Sequence, residues 1–115
     1  MMQSDRELLE AAARAAGLTL RDDFTALSVI RASSDGHWWL VWNPLTSDGD
    51  ALRLAVGLGI CFGPNFDGDL AVCFGGDGSN ITQPYGDDPY AATRRAIVRA
   101  AAALAPTTPP KEPQQ

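Results

Sequence analysis

The chain has 115 residues, 45% of them apolar, with 14 acidic side chains against 9 basic ones and a net charge of −5. That size suits one domain with a core that needs neither metal nor disulfide staples. The acidic balance argues against a phosphate-backbone partner, which needs a basic surface, and no apolar run approaches the length that crosses a bilayer.

Ser4 and Glu7 make a Ser-x-x-Glu capping box ahead of Leu8, Leu9, Ala12, Ala13 and Ala16 at helical spacing, so residues 5–16 are expected to form a helix that Gly17 ends. Residues 24–32, with Leu27, Val29 and Ile30, read as a strand. Ser33, Ser34, Asp35 and Gly36 make a turn, and the aromatic and aliphatic run 37–42 is a second strand closing a hairpin. Thr46 or Ser47 caps the next helix, with Asp50 placed to answer Ser47. Its apolar face is Ala51, Leu54, Ala55 and Leu58, and Gly59 stops it. Residues 60–63 and 69–74 form two short strands joined as a second hairpin. Residues 75–87 are a glycine-rich loop with room for one brief strand near Ile81. Asp88 before Pro89 opens a last helix running to about Leu104, with a stripe of Tyr90, Ile97, Ala100 and Leu104.

The expected architecture is α+β, in the order helix, hairpin, helix, hairpin, helix. Four strands would make one antiparallel sheet, with the helices packed on one face. Residues 1–105 are read as a single domain. Residues 106–115 contain four prolines and no large apolar group, which predicts a disordered tail. The opening ten residues lack a signal-peptide pattern, so reduced thiols and a cytoplasmic location are expected.

Few residues carry chemistry. Trp38 and Trp42 share one strand face and Trp39 takes the other, so large aromatics occupy both faces. They read either as core or as a binding surface, since tryptophan is enriched at interface hot spots. His37 is the only histidine and has no orienting partner or nucleophile in a recognisable pattern. Cys61 and Cys73 fit neighbouring strands and lack the close spacing of zinc ligands. Asp48, Asp50, Asp67, Asp69 and Asp77 flank glycines in what read as turns. They could hold a divalent ion, but the pattern lacks the order of a calcium loop. The glycine run 75–78 lacks the lysine of a phosphate loop. Arg95 and Arg99 lie one turn apart and project together, either as an anchor for anionic groups or as an ordinary solvated face beside Arg94.

Residues 42–46, Trp-Asn-Pro-Leu-Thr, with 48–56, Asp-Gly-Asp-Ala-Leu-Arg-Leu-Ala-Val, form one familiar block. Residues 88–102, from Asp88-Pro89-Tyr90 through Arg94-Arg95 to Ala102, form another. Together they cover about a quarter of the chain and resemble small accessory proteins of tailed bacteriophages and prophages of the NinX-like kind. The resemblance implies a phage-derived product in a bacterial cytoplasm that binds and redirects or inhibits a host protein. An antiviral defence system such as CRISPR is one such target. The resemblance brings no catalytic residues. The combined expectation is a non-enzymatic interaction protein without metal or cofactor, with Trp38, Trp39, Trp42, Arg95 and Arg99 as partner-binding residues. Its partner would be a host or phage protein, and a homodimer is compatible with an apolar sheet face. The alternatives are a divalent-metal-dependent enzyme or small-ligand-binding domain, with aspartates near His37, and acidic mimicry of nucleic acid.

Overall fold

A computed structural model describes residues 4–23, 29–65, 68–74 and 80–105. The described elements are α1 (Asp5–Ala16), β1 (Thr19–Asp23), β2 (Val29–Ser33), β3 (Leu40–Val41), α2 (Asp48–Leu58), β4 (Cys61–Pro64), β5 (Leu70–Phe74), β6 (Asn80–Pro84) and α3 (Pro89–Ala103).

Each helix starts where a side chain can take up an orphan backbone donor. In α1 the capping box is complete: Glu7 N–H donates to Ser4 Oγ and Ser4 N–H donates to Glu7 Oε1, at 3.1 and 3.0 Å. Gly17 then ends the helix in the left-handed region, φ 76°, where a side chain would be strained. In α3, Asp88 Oδ1 accepts from the Tyr90 and Ala91 amides, and Pro89 has no N–H to leave unpaired. In α2 the cap is Ser47, whose Oγ accepts from Asp50 N–H at 3.2 Å. The Asp50 carboxylate does not answer Ser47. It reaches back to the Asn43 N–H at 2.9 Å and accepts from Arg53 Nη2 at 2.7 Å.

The sheet arrangement differs from the expected one. The strands form two separate three-stranded antiparallel sheets, β1-β2-β3 and β4-β5-β6, in place of one four-stranded sheet. The helix-hairpin alternation is likewise replaced, since three strands precede α2 and three follow it. Two strands account for the difference. β1 reads Thr-Leu-Arg-Asp-Asp, a charged run that resembles a loop, yet it is an edge strand, where charge is tolerated and blocks unwanted pairing. β6 ends in Pro84, and proline is tolerated in strands only at edges, which is where β6 lies. The first hairpin is also displaced: β2 starts at Val29, β3 is only Leu40–Val41, and residues 24–28 of the expected first strand lie outside the described residues.

The core gathers on α3. Its Ala96, Val98, Ala100 and Ala101 are fully buried, and Ile97 nearly so, together with Leu8 and Ala12 of α1, Leu54 and Ala55 of α2, Ile60, and Ala71 and Cys73 of β5. Small residues let the backbones approach closely, and the few branched side chains fill the remaining space, each worth about 1.5–3 kcal/mol when fully buried. The second sheet lies on α3 through one face. Ala71 and Cys73 point inward, with Phe62 and Ile81 opposite Cys73 in register, and Phe74 faces out. Among the described residues, the first sheet reaches this core cluster through Trp42, at the end of its ladder, so it stands to one side of it.

Burial also separates the two thiols. The Cys73 thiol is pushed up to about 11, because burial disfavours the thiolate more than the Arg99 charge favours it. Cys61 is exposed and unpaired. A thiol reagent at neutral pH is expected to modify Cys61 alone in the folded chain and both cysteines in denaturant. Rapid native modification of Cys73, seen by peptide mass mapping, would contradict this packing.

Candidate functional site

The most exposed apolar ground on the first sheet lies along and beside β3. Cross-strand register places Leu20, Ala32 and Leu40 on one face and Arg21, Arg31 and Val41 on the other. Trp42 N–H donates to the Ile30 carbonyl at 3.0 Å, so the ladder runs one residue past β3. Trp38 and Trp42 share a recess with Leu40, and Trp39 lies under Arg21 of the Val41 face.

The three indoles have different surroundings. Trp42 is half-buried against the core. Trp39 is half-buried under the Arg21 guanidinium, 4.5 Å from the ring centroid, a cation–π contact worth about 0.5–1 kcal/mol at such a site. Trp38 is 72% exposed and touches the His37 ring edge-on, with centroids 5.6 Å apart. Leu40 is 71% and Val41 58% exposed beside it. Trp38, Leu40 and Trp42, together with Leu18 and Ala32, line a recess of about 300 Å³ beneath the sheet.

A tight polar turn holds Trp38 outward. Asp35 Oδ1 accepts from the His37 amide at 2.8 Å, the Trp38 amide at 3.2 Å and Ser33 Oγ at 3.0 Å. Ser33 Oγ accepts from the Gly36 amide at 2.8 Å, and Gly36 sits at φ 75°. The backbone donors of His37 and Trp38, then the Ser33 hydroxyl, hold the Asp35 carboxyl below its ordinary value of 3.8.

The arginines of α3 serve the fold. Arg94 Nε donates to the Leu45 carbonyl at 2.9 Å and Nη1 to Asp48 at 2.6 Å, which fastens the strand-to-helix corner onto α3. Arg95 pairs with Asp5 of α1 at 2.9 Å. Arg99 Nη1 donates to the Thr82 carbonyl and to Gln83 Oε1 of β6. The structure therefore does not bring Arg95 and Arg99 together with the tryptophans; each ties α3 to a different neighbour.

A second recess of about 370 Å³ opens between α2, α3 and β4. Leu52, Phe62, Pro64, Tyr85, Tyr90 and Ile97 form its walls, and the Arg94–Asp48 pair lies at its side. Tyr90, expected on the buried stripe of α3, is 72% exposed here. Nothing in the helical spacing distinguishes it from a core residue. Its position in the first turn of α3 is what carries it clear of the core. Leu40, Val41 and Phe62 are further surface apolar residues that pattern alone assigned to strands without a face.

Among the described residues no three histidine, cysteine, aspartate or glutamate side chains converge on a point that could hold a metal ion. Asp67 and Asp77 of the acidic glycine turns lie outside the described residues. Among the described residues no helix is long and apolar enough to cross a membrane. No protein-family model, curated protein or solved structure matches the chain.

Because the folded state holds Asp35 ionised below its ordinary value, its stabilisation of the turn is whole above 3.8 and is lost as pH falls further, through the depressed value. Tryptophan emission is therefore expected to change in that acid range before global unfolding. Asp35→Ala should remove this early step, and an unaltered titration in the variant would contradict the role given to Asp35.

Proposed function

We propose that this protein is a non-enzymatic binding module whose recognition surface is the β3 ribbon. One observation carries the reading: Trp38, Leu40 and Val41, three large apolar side chains within four residues, are each more than half exposed along and just before a strand at the edge of its sheet. Contiguous exposed apolar ground on a small domain marks a place where another molecule sits. Tryptophan gives the most contact area per residue with few rotamers to freeze.

The strand is too short for main-chain pairing to carry recognition, since it contributes only two residues to its ladder. Affinity would come from side chains, with Trp38 as the anchor and Leu40 beside it on the same face, while Val41 adds apolar ground on the other face. Arg21 over Trp39 gives the opposite face a cationic rim, which suits a partner with acidic groups beside its apolar patch. The resemblance of residues 42–56 and 88–102 to NinX-like phage accessory proteins supports a bacterial or phage protein as that partner. Occlusion of a host defence component is one form such binding would take.

Trp38→Ala and Leu40→Ala remove surface side chains, so each variant is expected to melt close to the parent. Loss of a hot-spot tryptophan costs a complex about 2 kcal/mol or more, roughly thirtyfold in affinity. Tagged parent and variants recovered from infected bacteria should differ in one co-purified protein, absent with Trp38→Ala and retained with Val56→Ala on α2. Equal recovery by all three, or recovery of only a second copy of the chain, would overturn the reading.

A further inference from the structure

The recess between α2, α3 and β4 is separate from the ribbon and has its own chemistry. Three aromatic rings line it, Phe62, Tyr85 and Tyr90, and Leu52 and Ile97 complete the apolar wall. Among the described residues none of these rings stacks on another aromatic. Phe62 and Tyr90 both reach solvent, so ring surface is open to a ligand. The volume of about 370 Å³ lies near the lower end of formed ligand sites, which run from about 300 to 1,000 Å³. An apolar cavity of about 150 Å³ holds benzene. The space therefore suits a small molecule of one or two rings.

The charges at the recess decide what kind of molecule. Arg94 and Asp48 are the charged side chains that line it, and they are unequally presented. The Arg94 side chain is 17% exposed. It donates Nε to the Leu45 carbonyl and Nη1 to Asp48 Oδ1. The Asp48 side chain is 74% exposed, and its second oxygen meets no donor among the described residues. The charge left facing solvent is the negative one. An anion would have to displace Asp48 from Arg94, whereas a cation adds to the pair on its open side. Aromatic faces attract cations as well, and the net charge of −5 draws cations towards the chain.

We propose that this recess binds a small aromatic ammonium ion, with its ring against Tyr90 and Phe62 and its charge beside Asp48. The rings supply contact area, and the carboxylate selects the sign of the charge.

Amide NMR of the isotope-labelled full chain tests this with three probes of similar shape: 2-phenylethylammonium, 2-phenylethanol and 3-phenylpropionate. A fragment of that size binds at roughly millimolar concentration. The ammonium ion is expected to shift the Leu52, Gly63, Tyr90 and Thr93 amides. It should half-saturate about tenfold below the alcohol, since a cation–π contact and an exposed ion pair both contribute. The carboxylate should bind more weakly than either. Asp48→Asn keeps an acceptor for Arg94 and removes the charge, so it should reduce the preference for the ammonium ion to about threefold. Tyr90→Ala removes an exposed ring and should weaken the ammonium ion and the alcohol alike. An alcohol or carboxylate that binds as well as the ammonium ion would overturn the proposal. So would a preference that survives Asp48→Asn in full, shifts unchanged by Tyr90→Ala, shifts centred on the ribbon, or no shifts at all.

Discussion

The buried carboxylate of Asp50 holds the two halves of the molecule in relation. It is 9% exposed, accepts the Asn43 amide with one oxygen and the Arg53 guanidinium with the other, and leaves no buried charge without a partner. Asn43 is the pivot of the same corner. Its carbonyl accepts from the Thr46 and Ser47 amides, and its side chain accepts from the Leu45 amide. Pro44, packed between them, is fully buried. The chain therefore leaves the tryptophan ribbon at a fixed angle and enters α2 within four residues. Arg94 locks that corner to α3 from outside. Without these bonds the first sheet, which among the described residues reaches the core cluster through Trp42, would have little to orient it.

The small side chains of α3 impose a second constraint. Ala96, Ala100 and Ala101 leave no room for anything but backbone and short residues, so α1 and the second sheet both lie close against this helix. A core built this way has little volume for aromatic rings. Its large members are Leu, Ile and Val; among the described aromatic residues Trp42 and Tyr85 pack against it, and others are displaced to the periphery. Trp38, Phe62, Phe74 and Tyr90 are exposed or nearly so for this reason. Exposure of rings on both the ribbon and the α2–α3 recess thus follows from how the alanine stripe fills the centre.

The helices were legible in the sequence because capping chemistry is local. Ser4 with Glu7, Asp88 with Pro89, and Gly17 and Gly59 each mark a helix end by a bond or a backbone angle that nearby residues determine. The sheets were less legible. β1 is written in Arg21, Asp22 and Asp23, and only its place at a sheet edge makes those residues acceptable in a strand. Whether strands join one sheet or two depends on long-range pairing that no alternation pattern encodes. Within the ribbon, the sequence puts Trp38 and Trp42 on one face and Trp39 on the other; Trp38 and Trp42 line one recess, and Trp39 lies under Arg21. It does not show that the shared face is divided, with Trp42 against the core and Trp38 in solvent. Nor does it reveal that Arg21 covers Trp39, because β1 itself is hidden. Arg95 and Arg99 lie one turn apart on α3, but their partners are on different elements, Asp5 of α1 and Thr82 and Gln83 of β6.

The central claim is that the outward face of the β3 ribbon is where another protein binds. A benzophenone amino acid placed at position 38 or 40, and at the equally exposed Val56 of α2 as a control, tests it inside infected bacteria on irradiation. The expected result is one and the same covalent adduct from positions 38 and 40 and none from 56. No adduct from the ribbon, or the same adduct from all three positions, would contradict it.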